Sequence, residues 1–162
     1  MQPNRYHVRV TKDHLVFSAA HFVTIGDFCE RLHGHNYRVA AEVTGPLDAD
    51  TFVVDFIALR DELQRIVAFL DHRMLLPTEH AAIRVQAGET EVEVRFENRR
   101  WVFPRDECVL LPLRQTTAEL VARWIGDRLV EGLAARGIAL PDRVRVDVEE
   151  NFGQWAGCEF TP

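Results

Sequence analysis

The sequence predicts an α+β fold with antiparallel strand pairing, and three observations carry that expectation. Two-residue alternation of apolar side chains marks strands near both ends of the chain. Two stretches between them show helical spacing instead. The resulting order is strand, strand, helix, hairpin, helix, strand.

In the first strand Leu15, Phe17 and Ala19 share one face, and His21 extends it. In the second, Tyr37, Val39, Ala41 and Val43 share a face that His33 and His35 extend, and Gly45-Pro46 ends the strand. Asp55 is the expected N-cap of a helix that buries Leu59, Leu63, Ile66, Val67 and Leu70. A second helix is expected from Thr116, paired with Glu119 as a capping box, with a stripe of Leu120, Val121, Trp124, Ile125 and Leu129 and a stop at Gly137. Between the helices, Glu91–Phe96 and Arg100–Phe103 flank Glu97-Asn98-Arg99 as a β-hairpin. The closing strand, near Arg143 to Asn151, places Val144, Val146, Val148 and Glu150 on one face.

The chain has 162 residues, which fits a single domain, 1–162, with a real core. Its composition, 47% hydrophobic and 27% charged, is that of a globular protein. No apolar run approaches the roughly 20 residues that span a bilayer. Met1 to Arg5 leads into a strand-like segment and does not read as a signal peptide, so a cytoplasmic protein with no membrane partner is expected. The net charge of −6 argues against nonspecific nucleic-acid binding. Lys12 is the only lysine, so contacts to a phosphorylated substrate would fall to arginine. Cys29, Cys108 and Cys158 make neither a disulfide framework nor a sulfur-rich zinc site.

His33-x-His35 on a strand directs two imidazoles to one side, and His21 ends a neighbouring core face. If the strands pair, three rings meet, and three protein ligands leave a fourth zinc position for water or substrate. The bland alternative is a chance His-x-His pair on a solvated or core strand. His7, His14 and His80 lack such context and read as surface residues. Cys29, in the loop joining the strands, reads either as a buried small side chain or as a thiolate. That thiolate would be a fourth ligand, a nucleophile or a base. Cys108 and Cys158 read as structural. Asp71-His72 is either a proton relay or a histidine favoured at a helix C-terminus. Glu150 lies either at the open end of the sheet or beside a buried partner, whereas Glu149 is expected on the solvated face.

These motifs resemble a known superfamily. Phe17-Ser18-Ala19-Ala20-His21 and Cys29-Glu30-Arg31-Leu32-His33-Gly34-His35-Asn36-Tyr37 look like the zinc and cysteine motifs of the 6-pyruvoyl-tetrahydropterin synthase and 6-carboxy-tetrahydropterin synthase superfamily. The likeness continues through Val54-Asp55-Phe56, Leu70-Asp71-His72, Thr117-Ala118-Glu119 and Val148-Glu149-Glu150, in the same order. It implies the tunnelling fold, an antiparallel sheet with two helices on one face, and a homohexamer built from two trimers with active sites between subunits. It also implies a Zn2+ cofactor on His21, His33 and His35, with Cys29, Asp71, His72 and Glu150 in catalysis. Thr117, Glu119 and Glu150 would line the pterin pocket.

Three residues between Cys29 and His33 resemble the bacterial 6-carboxy-tetrahydropterin synthases of queuosine and other 7-deazaguanine pathways. The implied reaction converts 7,8-dihydroneopterin triphosphate to 6-carboxy-tetrahydropterin, acetaldehyde and triphosphate. The 6-pyruvoyl activity and a folate-branch aldolase activity, in which a glutamate such as Glu30 serves, rank below it. So do a zinc enzyme of the same fold acting on another small molecule and a non-catalytic module whose zinc site Cys29 closes. The sequence departs from the family pattern in the long segment at about 79–113, which reads as an insertion, in Thr116, and in Asn151 with the stretch Phe152 to Trp155.

Overall fold

A computed structural model of the chain describes residues 4–162; Met1 to Pro3 lie outside the described residues. The main sheet is formed by β1 (Tyr6–His21), β4 (His33–Gly45), β5 (Arg73–Pro77), β9 (Cys108–Leu111), β10 (Arg143–Asn151) and β11 (Gln154–Phe160). Its order is β11-β10-β4-β1-β5-β9. The expected antiparallel pairing holds from β11 to β1, whereas β5 and β9 add parallel to β1 at the other side. Met74-Leu75-Leu76 and Cys108–Leu111 are short continuous apolar runs, the pattern of strands covered on both faces, and periodicity alone does not separate these from helix.

Helices α1 (Phe56–Leu70) and α2 (Ala118–Ala135) pack on one face of this sheet. Asp55 caps α1 as expected, its Oδ1 accepting from the Ile57 amide at 2.9 Å. Leu59, Leu63, Ile66, Val67 and Leu70 are all buried against β1 and α2. The capping box expected at α2 does not form. The N-cap is Thr117, which makes no side-chain cap bond, and Thr116 is buried outside the helix, where its backbone and hydroxyl oxygens meet His21. Tertiary contact has overridden the local signal. Gly137 ends α2 with φ +73°, a conformation that glycine adopts without Cβ strain.

Two irregularities in the sheet decide where key side chains point. Thr11 faces Ala40 and Val16 faces Arg38, so five steps along β1 (11 to 16) oppose two along β4 (40 to 38). The odd difference, 5 − 2 = 3, reverses the alternation: Val10 is buried before the bulge, and Leu15, Phe17, Ala19 and His21 are buried after it. Near the far end of β10, two steps from Glu149 to Asn151 oppose one from Trp155 to Gln154. Glu150 is the extra residue, and a bulge re-aims its side chain.

The segment between the helices is more than a hairpin. β6 (Arg84–Ala87), β7 (Glu91–Phe96) and β8 (Arg99–Pro104) form a separate three-stranded sheet in that order. Val92, Val94 and Phe96 of β7 pack with Phe22, Cys29, Met74, Leu76, Ile83 and Cys108 in a second apolar cluster. This sheet therefore covers the loop that joins β1 to β4. Two short strands, β2 (Thr24–Ile25) and β3 (Phe28–Cys29), pair within that loop.

The two helix starts give a direct contrast. Asp55→Ala is expected to cost about 1 kcal/mol in urea unfolding. Thr117→Ala, which removes no cap bond, should stay within about 0.5 kcal/mol.

Candidate metal centre

Pairing of β1 with β4 sets His21 opposite His33, Ala19 opposite His35 and Phe17 opposite Tyr37. The alternation then directs all three imidazoles to the helix side of the sheet, above the stacked Phe17 and Tyr37 rings. Ring centroids lie 4.8 Å apart for His21–His33, 5.2 Å for His21–His35 and 4.9 Å for His33–His35. One ligand nitrogen from each falls within 4.8 Å of the others. Gly34 permits the approach: a Cβ there would meet the Ala19 carbonyl oxygen at 3.0 Å.

The hydrogen bonds select the free nitrogens. His21 Nδ1 lies 2.9 Å from the Thr116 carbonyl, and His33 Nδ1 lies 2.7 Å from the Arg31 carbonyl. A carbonyl only accepts, so each Nδ1 carries the proton and each Nε2 is left with its lone pair. His35 Nε2 is buried with no hydrogen-bond partner at all. A buried nitrogen without a partner costs about 1–3 kcal/mol, and a divalent cation at this point would remove that cost. The donor set therefore fits a metal ion, and it leaves room for a non-protein ligand.

Electrostatics agree. His21 is 1% exposed, and burial, with the nearby His33 and His35, lowers its pKa to about 4 against the opposing Thr116 bond. The ring is neutral, as a ligand must be, across the physiological range. Tyr37, buried beneath it with its hydroxyl 3.3 Å from both His21 nitrogens, is driven upward by burial and by the Glu150 charge. Glu150 Oε1 lies 3.8 Å from His35 Nε2, beyond hydrogen-bond range, and the Glu150 side chain is 30% exposed. Among the described residues, Glu150 is thus the carboxylate at the rim of the cluster.

Other expected residues fall differently. Cys29 is fully buried in the second apolar cluster, not in a polar loop, and its sulfur is not one of the clustered ligand atoms. Burial pushes its thiol up, while the Arg99 guanidinium pulls it down. Glu30, next to it, is half-buried. Asp71 and His72 do form a pair, Oδ2 to Nδ1 at 2.8 Å, and the Ser18 amide donates to Asp71 Oδ1 at 2.7 Å. Desolvation raises the Asp71 carboxyl, but the Ser18 bond and the His72 ring outweigh it and hold it below the usual carboxylate range. His72 of this pair lines a cleft of about 540 Å³ with Ser18, Ala20, Gly34 and Asn36, the residues that alternate with the histidines, and His35 of the cluster lines it too. The cleft therefore joins residues of the face opposite the imidazoles to His35 of the cluster itself. Thr117 is half-buried and Glu119 exposed in the first turn of α2, which the Thr116–His21 bond ties to the cluster.

Two expectations are corrected here. Glu149 is 5% exposed rather than solvated, because its carboxylate accepts from the Gly153 amide at 2.7 Å and closes the turn after the bulge. His80 is not a free surface residue: its Nδ1 accepts from the Ala82 and Ile83 amides, and its Nε2 meets the Thr24 hydroxyl at 2.9 Å. Gln115 brackets the Thr24 backbone from the other side, so the loop before Cys29 is latched twice. Tyr37 could have been found, being two residues past His35 on the same face. Arg99 and Gln115 carry no local signal, and Thr116 carries only the capping signal that its contact with His21 overrides.

A fold of this topology, with three imidazoles on one sheet face that could hold a metal, is that of the tunnelling-fold pterin enzymes, as comparison with known proteins shows. The family model for 6-pyruvoyl tetrahydropterin synthase matches residues 9–160, and the chain belongs to that family. A Methanocaldococcus jannaschii protein provisionally named 6-carboxy-5,6,7,8-tetrahydropterin synthase is 30% identical over 143 residues, 88% of each chain. The Haemophilus influenzae 6-carboxy-5,6,7,8-tetrahydropterin synthase is 30% identical over 118 residues, 70% of this chain and 76% of that one. A solved structure of Plasmodium vivax 6-pyruvoyltetrahydropterin synthase superimposes with a TM-score of 0.90 at 25% identity, covering 99% of this chain and 100% of that one. That structure is a catalytic-residue variant in which a glutamate is replaced by alanine.

Two outcomes test the geometry. Between pH 6.5 and 4 the unfolded His21 binds a proton that the native ring does not, so the stability of metal-free protein falls as pH drops through that window. His21 contributes roughly 3 kcal/mol to that fall, and His21→Gln should flatten the slope in urea titrations. Gly34→Ala, by parting β1 from β4, is expected to destabilise the fold by about 1–3 kcal/mol and to weaken metal binding in calorimetry.

Proposed function

We propose that the chain is a zinc-dependent lyase converting 7,8-dihydroneopterin triphosphate and one water to 6-carboxy-tetrahydropterin, acetaldehyde and triphosphate, in the queuosine branch of 7-deazaguanine synthesis. The observation that carries this reading is the orphaned His35 Nε2, which sits in a three-imidazole cluster beside the Glu150 carboxylate. The names of the archaeal and Haemophilus relatives favour the carboxy product. His21, His33 and His35 would hold the ion, which supplies a Lewis acid that stabilises negative charge on a side-chain oxygen of the substrate.

The remaining steps belong to side chains. Glu150 accepts paired hydrogen bonds from the guanidine-like edge of the pterin and fixes the ring, with Thr117 and Glu119 along the pocket wall. Cys29 Sγ, as thiolate, takes the proton from the carbon being activated. A second proton moves through the His72 ring, which Asp71 orients through Nδ1. Because the His72 ring is exposed and stands outside the three-imidazole cluster, we place the Asp71–His72 pair of one copy beside the histidines of another in a homohexamer, a dimer of trimers.

A second reading is favoured by the burial of Cys29 beside a more accessible Glu30, and by the catalytic glutamate of the Plasmodium structure. There Glu30 is the base, and the product is a 6-hydroxymethyl pterin.

Incubation with dihydroneopterin triphosphate and mass identification of the pterin decides between them. Acetaldehyde with 6-carboxy-tetrahydropterin supports the first reading, a 6-hydroxymethyl product supports the second, and no turnover by metal-loaded protein contradicts both. Cys29→Ala is expected to cut carboxy-product turnover by roughly 100-fold or more while metal content is retained. Shared sites predict that inactive His21→Ala and His72→Ala chains, each inactive alone, recover part of the activity when reassembled together. Failure of the mixture to recover would place each site within one chain.

A further inference from the structure

Arg99 begins β8, about 70 residues from the cysteine loop in sequence, yet its guanidinium reaches that loop directly. Its Nη2 donates to the Cys29 carbonyl at 2.7 Å, and its Nη1 approaches the Glu30 carbonyl at 3.4 Å. The Cys29 thiol donates to that same Glu30 carbonyl, at 3.5 Å. The guanidinium is itself seated against two aromatic rings, 5.3 Å from the centroids of Phe96 and of Trp101. Trp101 in turn stacks on Phe22 at 4.7 Å, and Phe22 follows His21 in the chain.

No other basic side chain hydrogen-bonds the Cys29–Glu30 segment among the described residues, and Cys29 packs in the second apolar cluster. We infer that Arg99 is a positioning residue: it fixes the backbone that presents Cys29 and Glu30 to the reaction, and its charge favours the thiolate of Cys29. The three-stranded sheet thereby becomes part of the catalytic apparatus. This rests on the lyase reading for its effect on turnover, but not for its effect on the thiol.

A fork donating to two consecutive carbonyls holds both peptide planes, and a point-charge ammonium would not reproduce it. The charged and titratable groups facing the thiol are Arg99 and Glu30, with the neutral His80 ring behind Thr24, which pairs with Cys29 across β2 and β3, and the Cys108 thiol in the same apolar cluster. Glu30 opposes the thiolate and burial opposes it further, so Arg99 is the one group that favours it.

The experiment titrates thiolate absorbance at 240 nm in zinc-loaded full-length protein, each form measured against the same form carrying Cys29→Ser. Arg99→Met should raise the Cys29 midpoint by about one pH unit or more. It should also lower kcat roughly 10–100-fold with KM and zinc content unchanged. Arg99→Lys, which keeps the charge and loses the fork, should restore the midpoint in part and kcat less. Arg95→Met, on the outer side of the same sheet, serves as the control and should move neither. An unmoved midpoint in Arg99→Met overturns the proposal. If that variant does not fold, a Lys variant with both midpoint and kcat at parental values overturns it equally. Should the parent show no pterin turnover, the lyase reading fails, and the thiol titration still decides the role of Arg99.

Discussion

The register of β1 against β4 is the constraint on which the site depends. With His21 opposite His33 and Ala19 opposite His35, a one-residue slip would send the His21 ring to the other sheet face. The register is held by the buried Phe17, Tyr37, Val39 and Ala41 and by the bulge that resets the alternation after Thr11. Energetically the arrangement is unfavourable without a cation, since it buries a neutral His21 and an unpartnered His35 nitrogen. A penalty of about 1–3 kcal/mol for such a nitrogen is small beside the roughly 10–16 kcal/mol available from structural zinc binding. The sheet thus holds a preformed donor set that metal binding would complete.

Around that frame, function is distributed over elements distant in sequence. Thr116, just ahead of α2, fixes the His21 tautomer; the bulge in β10 brings Glu150 to His35; the appended sheet reaches the Cys29–Glu30 backbone through Arg99. Each of these contacts joins parts of the candidate site that are far apart in the chain. Such arrangements tolerate little displacement, because a shift of about 1 Å at a reacting group can cost about 100-fold in rate. The appended sheet can hold its arginine that closely because Val92, Val94 and Phe96 are buried beneath it, a packed base rather than a mobile tip.

What is legible in the sequence is what depends on short period. The histidine strands, both helices, the Asp55 cap and the Gly137 stop follow from alternation, helical spacing and capping chemistry. The β7–β8 hairpin is visible from its turn, but β6 is not, since Arg84 to Ala87 alternates weakly. β5 and β9 escape a sequence reading because apolar runs of three or four residues are ambiguous. The capping box at Thr116 fails because a buried histidine 95 residues away takes its oxygens. The sequence leaves Cys29 open between a buried small side chain and a thiolate because its apolar neighbours come from β5, β7 and β9, and Glu149 reads as solvated because one bulge changes the environment of both adjacent glutamates. For Thr116 and Cys29 the decisive contacts are long-range, whereas for Glu149 the contact lies four residues away across the turn.

X-ray absorption at the zinc edge of the purified, metal-loaded protein tests the central claim most directly. Three imidazole nitrogens with an oxygen ligand at about 2.0–2.1 Å are expected, with that oxygen exchangeable and His35→Ala losing the ion. A sulfur scatterer near 2.3 Å, which would make Cys29 a closing ligand, or protein that binds no stoichiometric metal, would contradict it.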